Sequence, residues 1–346
     1  MPAQPLDEDA VLSLVADAVA APSLHNAQPW RFRFRPESRT FELRADLLRA
    51  LEHADPDSRG MYLGCGAALF NLRVSAARAG WHPEVRLLPE EDAEHAMSAD
   101  PDSPLLATLT LAAPGGAADH AAEDRELAAL HPAVARRRTS REPFEEREIP
   151  AAVRAALAAA ARLEGARLVL PSQWHADALL ELVRDAAARD RQDPARAAEL
   201  ARWTRPGDDA LDPPFSDEGV PASAFGPRVA GGHAPVRDFA ARRTGAGRRA
   251  AVFEERPQLA LLGTEGDAPR DWLGAGQAME RVLLVATGHG LATALDSQAL
   301  ESPDLRSLAR DPQFSMAFVQ MVLRLGYGPP GPGAPRRAAR DVLDRD

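Results

Sequence analysis

The sequence contains one cysteine and no lysine. Cys65 is the only thiol among 346 residues, which excludes a disulfide within the chain and a metal site built from several thiolates. A single cysteine also fits a reducing compartment. All 41 Lys/Arg positions are arginines. Each arginine is therefore weaker evidence for anion binding than it would be in a chain that also used lysine.

The sequence also lacks a long apolar run. Its most apolar stretch beyond the N-terminus, 282–295, is interrupted by Thr287, Gly288 and His289, and it is shorter than the roughly 20 apolar residues that a membrane helix needs. Residues 1–22 carry acids where an export signal carries bases. We therefore expect a cytoplasmic protein with no membrane-spanning segment and no export signal.

Several common catalytic signatures are absent. The sequence has no HExxH pair for zinc, no P-loop for nucleotides and no G-x-S-x-G nucleophile elbow. Gly64 and Gly66 lie in a helical pattern without the third glycine of a dinucleotide fingerprint, which indicates helix packing. A net charge of -10 opposes binding to nucleic acids and to anionic membranes. We expect neither a metal site nor a catalytic side chain.

Hydrophobic patterns divide the chain between strands and helices. A hydrophobic content of 45% is typical of a globular protein with a substantial core. Alternation in 30–34 and 40–44, around a turn-like segment, predicts a hairpin. Strands mixed with long helices favour an α+β layered fold. The patterns predict helices over 7–21, 59–81, 121–130, 150–163, 174–189 and 271–290, and further strands over 84–88, 105–112, 167–170, 258–262 and 318–325.

Two helical segments are copies of each other. YLGCGAALFNLRVSAARAGW, which starts at Tyr62, aligns without gaps on WLGAGQAMERVLLVATGHGL, which starts at Trp272. Small residues shared by the copies allow a close approach, so we expect the two helices to pack across a pseudo-twofold axis. The alternative is that two segments rich in Ala and Gly match through composition alone.

The loop APSLHNAQPW, 21–30, places short hydroxyl and amide side chains between a predicted helix and a predicted strand. Such groups can donate and accept hydrogen bonds to a flat heteroaromatic ligand, and Pro22 and Pro29 lower the entropy that the loop loses on binding. An ordinary helix exit with polar capping residues explains the same residues equally well.

The segment RRRTSREPF, 136–144, surrounds the hydroxyl of Thr139 with arginines, which is suited to a phosphate dianion. Neighbouring glutamates could neutralise these charges instead, and an isolated cluster of this kind is more often a solvated surface. A second basic pair, Arg336 and Arg337, follows a stiff Gly/Pro tail that could return it to the same place. The segment 205–247 is dense in Pro, Gly and Asp without periodicity, which is typical of a functional or disordered segment.

Taken together, these motifs resemble those of a known family. APSLHNAQPW resembles the PS-x-x-N-x-QPW loop of the FMN-dependent nitroreductases, and RRRTSR resembles their phosphate-binding R-R-S-x-R segment. In ordinary members the two motifs come from different subunits of a homodimer, whereas here each occurs once, in opposite halves of the chain. With the internal repeat, this arrangement resembles the fused Acg-like branch of the family, over nearly the whole chain.

The resemblance implies a monomeric, internally duplicated nitroreductase-like fold, in which antiparallel sheets are flanked by helices. The expected halves are 1–130 and 131–346, with a lid-like insertion at about 205–247. It also implies one FMN site. The residues implied at the isoalloxazine are Pro22, Ser23, Leu24, His25 and Asn26, with Gln28 supporting the loop; those at the phosphate and ribityl end are Arg137, Arg138, Thr139, Arg141, Arg336 and Arg337; Asp296 and Ser297 lie where the family places the amide that faces the flavin N5.

By resemblance, the expected activity is transfer of hydride from NADH or NADPH, through FMN, to a nitroarene, a quinone or a similar electron-poor acceptor. Two alternatives stay open. A closed lid would instead make the chain a non-catalytic protein that stores or sequesters FMN. In the other alternative, the flavin is used oxidatively, to remove hydride from a peptide or natural-product substrate.

Overall fold

The computed structural model of the protein describes residues 6–89, 103–113, 118–205, 217–240, 248–311, 313 and 316–344. None of the helices in these ranges combines the length and the apolar character that crossing a bilayer requires. The helices are α1 (Glu8–Ala18), α2 (Arg59–Arg78), α3 (Ala118–Val134), α4 (Ala151–Leu163), α5 (Gln173–Gln192), α6 (Pro194–Arg202), α7 (Pro269–Gly288), α8 (Pro303–Leu308) and α9 (Ala339–Val342). The strands are β1 (Trp30–Arg35), β2 (Thr40–Ala45), β3 (His82–Leu87), β4 (Leu105–Ala112), β5 (Arg167–Val169), β6 (Thr204–Arg205), β7 (Val220–Pro221), β8 (Arg228–Gly231), β9 (Ala250–Val252), β10 (Gln258–Thr264), β11 (Ala292–Asp296), β12 (Phe318–Gly326) and β13 (Leu343–Asp344).

The longer strands form two sheets. The first has the order β13-β1-β2-β4-β3, and the second has the order β11-β12-β10-β5. All neighbours pair antiparallel except β13, which pairs parallel with β1. The predicted hairpin of β1 and β2 is confirmed, as is the α+β class with antiparallel sheets. Strand β13 brings the C-terminus of the chain back to the sheet of its N-terminal part.

The two repeat helices, α2 and α7, lie against each other in the core. A methyl group on Gly66 would lie 2.2 Å from the carbonyl oxygen of Leu273, and one on Gly276 would lie 2.2 Å from that of Leu63. This reciprocal contact joins equivalent positions of the two copies. At the start of the repeat, the rings of Tyr62 and Trp272 have centroids 5.7 Å apart. The predicted packing of the two copies across a pseudo-twofold axis is confirmed.

Local signals explain where several helices begin. Asp7 caps α1 by accepting a hydrogen bond from the amide of Ala10 at 2.8 Å. Asp193 ends α5 and caps α6, whose first residue is Pro194. Pro150 is the N-cap of α4 rather than a residue of its first turn, because the helix begins at Ala151.

The patterns missed several elements. Helix α6 contains no buried residue, and its apolar face consists mostly of alanines, which give a weak signal in the sequence. Strand β13 and helix α8 are only two and six residues long, too short to show a period. Strand β11 was expected only as a segment near the flavin, because alanines within it weaken the alternating pattern.

Replacing Gly276 with alanine tests the helix contact. The new methyl would overlap the backbone of α2, so we expect a loss of about 1–3 kcal/mol in the free energy of unfolding. Gly274 is the matched control in the same helix, because the nearest atom to a methyl there is the carbonyl oxygen of Glu164, at 4.0 Å. Gly274→Ala should be neutral or stabilising by up to about 1 kcal/mol. Thermal unfolding measures both; equal losses would contradict the contact.

Candidate functional site

A cavity opens between the two motifs, the start of α2 and the middle of α7. Its walls are the loop 22–26, the segment 137–141, the end of β11, the tail 332–336 and residues between 220 and 239. All of the predicted site residues line it except Gln28 and Arg337. The floor is apolar and includes Leu63, Met279 and Met321. The cavity therefore has a polar rim around a hydrophobic base.

The first motif forms a strained loop. His25, Asn26 and Gln28 have φ angles of 50°, 56° and 54°, in the left-handed region. Each such non-glycine residue costs about 1–3 kcal/mol and persists only where surrounding contacts hold it. One of these contacts is the hydroxyl of Ser23, which accepts a hydrogen bond from the amide of Gln28 at 2.9 Å. Strain of this kind concentrates at binding and catalytic sites.

Gln28 lies behind the cavity rather than in it. Its side chain is fully buried, and Nε2 donates to the carbonyl of Asp217 at 2.5 Å. Its Oε1 accepts from the amide of Arg337 at 2.9 Å. The side chain of Gln28 therefore links the loop by hydrogen bonds to two distant parts of the chain, at Asp217 and at Arg337.

The second motif and the tail meet at one end of the cavity. Arg137 and Arg336 both donate to the carbonyl of Ala20, at 3.0 and 3.4 Å. Arg138 donates to the carbonyl of Arg137 at 2.7 Å. Burial lowers the pKa of Arg336 to about 9, and repulsion from Arg137 and Arg138 adds to the shift. We call Arg137, Arg138 and Arg336 the cation cluster.

One carboxylate faces this cluster. Glu280 of α7 is fully buried, and its Oε1 lies 3.4 Å from Nε of Arg137. Burial raises the pKa of Glu280 to about 7, although the charge of Arg137 opposes the shift. Within the described residues, three guanidinium groups and at most one carboxylate leave at least two positive charges uncompensated. In the described part of the chain, the Nε of Arg336 is buried without a hydrogen-bond partner, and the Nε of Arg137 has only its ion-pair contact with Glu280.

The tail returns to the second motif, as predicted, but only one of its arginines enters the cavity. A methyl group on Gly331 would lie 1.9 Å from the carbonyl oxygen of Thr139, so only glycine at position 331 lets the tail pack this closely. Ser140 donates to the carbonyl of Pro329 at 2.8 Å. Arg337 turns away from the cavity, and its guanidinium lies 3.5 Å from Asp46.

His25 occupies the other end of the cavity. It is 5% exposed, and neither ring nitrogen has a hydrogen-bond partner among the residues that the structure describes. Its pKa is held well below the usual value, first by burial and then by the charges of Arg237 and Arg141, so the ring is neutral at pH 7. Arg141, which was expected at the phosphate end, has Arg237 rather than the cation cluster as its charged neighbour. The arginines of the second motif are therefore divided between the two ends.

Residues 217–240, which we call the strap, cross this end of the cavity. Asn26 and Gly219 exchange two hydrogen bonds, from the amide of Gly219 at 3.2 Å and from Nδ2 of Asn26 at 3.0 Å. Arg141 donates to the carbonyl of Ala224 at 2.8 Å. Arg237 of the strap forms a bidentate ion pair with Glu301, at 2.5 and 3.2 Å. The strap corresponds to about half of the insertion predicted at about 205–247. Residues 206–216 and 241–247 of that segment lie outside the described residues.

Asp296 and Ser297 follow strand β11 into the cavity wall. Asp296 accepts a hydrogen bond from the amide of Gln298 at 3.1 Å, and burial raises its pKa to about 6. Ser297 donates its hydroxyl to Glu301 at 2.8 Å. In the described part of the chain, acids, histidines and cysteines do not group as a metal centre would require.

Comparison with known proteins identifies the family. Over 345 residues, 98% of this chain and 92% of the relative, the sequence is 32% identical to a Mycobacterium tuberculosis protein named "Putative NAD(P)H nitroreductase". It is 31% identical to "Putative NAD(P)H nitroreductase acg" of the same organism, over 99% of this chain and 98% of the relative. The chain belongs to the NAD(P)H nitroreductase family that includes acg. The resemblance read from the two motifs is thereby confirmed.

The sequence matches no family model. Among solved structures, a nitroreductase-like protein from Anabaena variabilis has a TM-score of 0.43 and 12% identity, over 94% of this chain and 90% of that chain. The FMN-dependent nitroreductase NfnB from Mycobacterium smegmatis, in complex with NADPH, has a TM-score of 0.38 and 13% identity, over 64% of this chain and 99% of that chain.

Sequence reasoning missed several residues that line the cavity of this family member, and one, Glu280, that lies behind its wall. Glu280 was treated only as part of the packing repeat, although a Glu-Arg pair inside an apolar run is a detectable signal. Arg237 and Phe239 lie in the aperiodic segment, where no pattern singles out one position. Asp55 binds the amides of Gly60 and Met61 at 2.8 Å each, a capping role whose place in the cavity only the fold reveals.

The raised pKa of Glu280 has a measurable consequence. The folded protein holds this proton to about pH 7, whereas the unfolded chain releases it near its usual value. The free energy of unfolding therefore falls as the pH rises between those values, because the folded state binds more protons than the unfolded chain. In phosphate-free buffer, we expect Glu280→Gln to gain stability relative to the wild type from pH 5 to about 7, and the difference to level off above that.

Urea unfolding at several pH values measures this difference. Glutamine keeps an amide oxygen that can face Arg137, and the charge interaction that it lacks is already contained in the pKa of Glu280, so the pH dependence of the difference reports the proton held by Glu280. Glu181→Gln, at an exposed position of α5, controls for the loss of one negative charge. A stability difference that does not change with pH would contradict a proton held by buried Glu280.

Proposed function

We propose that the chain is an FMN-binding oxidoreductase of the nitroreductase type, which transfers hydride from NAD(P)H to an electron-poor acceptor. The observation that carries the proposal is the cation cluster, whose surplus of positive charge lies at one end of a cavity with an apolar floor. A phosphate dianion joined to a flat ring system matches both features. The names of the family relatives, as NAD(P)H nitroreductases, support the reaction class.

The phosphate end fits FMN in charge and in hydrogen bonding. Arg137, Arg138 and Arg336 would hold the phosphate, with the hydroxyl of Thr139 at the same wall. A dianion would neutralise the two surplus charges and accept from the Nε of Arg336, which has no hydrogen-bond partner among the described residues. Glu280 would remain the ion-pair partner of Arg137 and would lower the net positive charge of the cation cluster.

The ring end fits the isoalloxazine in shape and polarity. The loop 22–26 would cover one face, with Leu63, Met279 and Met321 at the apolar floor. Arg141 is a buried guanidinium for which the described residues provide no carboxylate within ion-pair distance, so it offers uncompensated positive charge beside the ring end. When bound, FMN supplies the two-electron carrier that no side chain of the chain supplies. The protein groups orient that ring and exclude water from it.

A second candidate is a protein that stores FMN, and the strap favours it. Asn26 and Arg141, two of the predicted flavin contacts, bind the backbone of the strap. A strap held in this way obstructs the approach of NAD(P)H and of an acceptor. The two candidates differ only in whether the strap opens.

The organisation of the molecule is part of the proposal. We propose halves of 1–130 and 131–346, with β13 returned to the first sheet, and a monomer, because the contact of α2 with α7 already joins the two copies. We further propose a cytoplasmic location. Size-exclusion chromatography coupled to light scattering tests the monomer.

A visible absorption spectrum of the purified full-length protein, repeated after anaerobic addition of NADPH, tests the function. Flavin bands that bleach would support the oxidoreductase. Bands that persist would favour the storage protein, since reduced nicotinamide then cannot reach the ring. A protein without these bands, even after FMN is added, would overturn both candidates.

The cation cluster can be tested with a matched pair of variants. Arg336→Ala should weaken FMN binding by about ten- to a hundredfold, the effect of losing a hydrogen bond between charged groups. Arg337→Ala should change FMN binding little, because that guanidinium faces Asp46 outside the cavity. Fluorescence titration measures both. Riboflavin, which lacks the phosphate, is the ligand control: an equal loss of riboflavin affinity in Arg336→Ala would show a damaged fold rather than a lost phosphate contact.

A further inference from the structure

The strap places an aromatic ring inside the cavity. Phe239 is 8% exposed and lines the same cavity as the two motifs. His25 meets the ring of Phe239 edge-on, with centroids 5.8 Å apart and an angle of 84° between the planes. Phe225 stacks on it at 6.1 Å and 22°, and the guanidinium carbon of Arg141 lies 4.6 Å from its centroid. Three side chains, those of His25, Phe225 and Arg141, thus surround one aromatic ring, and we call them the receptacle.

The receptacle offers polar groups that Phe239 cannot use. Both ring nitrogens of His25 are buried, and the described ranges of the chain give them no hydrogen-bond partner. The neutral ring has one N–H to donate. Phe239 is a hydrocarbon, so it fills the space but leaves this donor unsatisfied, which is costly in a buried site.

The two arginines beside Phe239, Arg237 and Arg141, differ in whether a carboxylate neutralises their charge. Arg237 is neutralised by Glu301 and by Asp190, which lies 3.2 Å from its guanidinium. Arg141 donates only to the carbonyl of Ala224, and no acid in the described residues lies within ion-pair distance of it. A ligand with an anionic oxygen would supply the missing charge to Arg141 and an acceptor to His25.

We propose that His25, Arg141 and Phe225 form a subsite for an aromatic ring that carries an anionic oxygen substituent, and that Phe239 occupies this subsite until such a molecule displaces it. The identification of this molecule as the electron acceptor rests on the proposed function. The subsite itself rests on the ring contacts and on the unused polar groups. It gives the acceptor a chemical class: an aromatic carboxylate or phenolate bearing a reducible group.

The test compares binding of 4-nitrobenzoate and nitrobenzene to the purified full-length protein by calorimetry. Phe239→Ala removes the competing ring, so 4-nitrobenzoate should bind about tenfold or more tightly, because its own ring can then contact His25, Phe225 and Arg141. Nitrobenzene, which has the ring without the anion, should gain less. In the Phe239→Ala background, Arg141→Gln should abolish the preference for the anion, and Arg141→Lys should restore part of it.

A second variant separates a vacated subsite from a loosened strap. Glu218→Gln breaks the ion pair of Glu218 with Arg49, at the opposite end of the strap, and leaves Phe239 in place. It should not reproduce the gain in 4-nitrobenzoate affinity. An equal gain in Glu218→Gln, or no gain in Phe239→Ala, would overturn the subsite. FMN content, read from the visible spectrum of the same samples, reports on the proposed function independently of these affinity ratios.

Discussion

The close contact between α2 and α7 is the constraint on which the rest of the structure depends. Gly66 and Gly276 leave no space between the helices for even a methyl group, so the two copies of the repeat are fixed against each other at one point. This contact places Leu63 and Met279, each a few residues from a glycine, in the floor of one cavity. It also brings a loop from the first part of the chain opposite an arginine segment from the second. A homodimer can bring such elements together by association, whereas here the fused chain does so by folding.

The strap creates a competition for the same side chains. Asn26 and Arg141 belong to the two motifs, yet both bind the backbone of residues 217–240, and Phe239 fills space that a ligand would need. The hydrogen bonds that hold the strap are therefore in part those that a ligand would use. Opening the strap costs these bonds, and a ligand can recover them only if it presents acceptors at equivalent positions. Specificity for a ligand of defined polarity follows from this exchange.

Much of the fold, and a smaller part of the site, was predictable from the sequence. Strands β1, β2 and β4 and helices α4 and α5 have regular apolar periods, and the repeat identified the central contact because small residues recur at equivalent positions. The two motifs indicated the loop at His25 and the cluster at Arg137. The rest depended on tertiary placement: Arg141 lies at the opposite end from Arg137 although only three residues separate them, and Arg337 faces away from the cavity although Arg336 enters it. Phe239 has no periodic context, so no pattern distinguishes it from any other residue of its segment.

The charge of the site is opposite to that of the molecule. The chain carries a net charge of -10, yet one end of the cavity holds at least two uncompensated positive charges, and Arg141 adds another at the other end. Burial makes this arrangement costly, as the lowered pKa values of Arg336 and Arg141 show. The surrounding negative charge lies outside and is screened by salt, whereas the buried guanidinium groups interact with little screening. An anion that reaches the cavity therefore meets a local attraction that the overall charge does not cancel, and its binding removes the repulsion among the guanidinium groups.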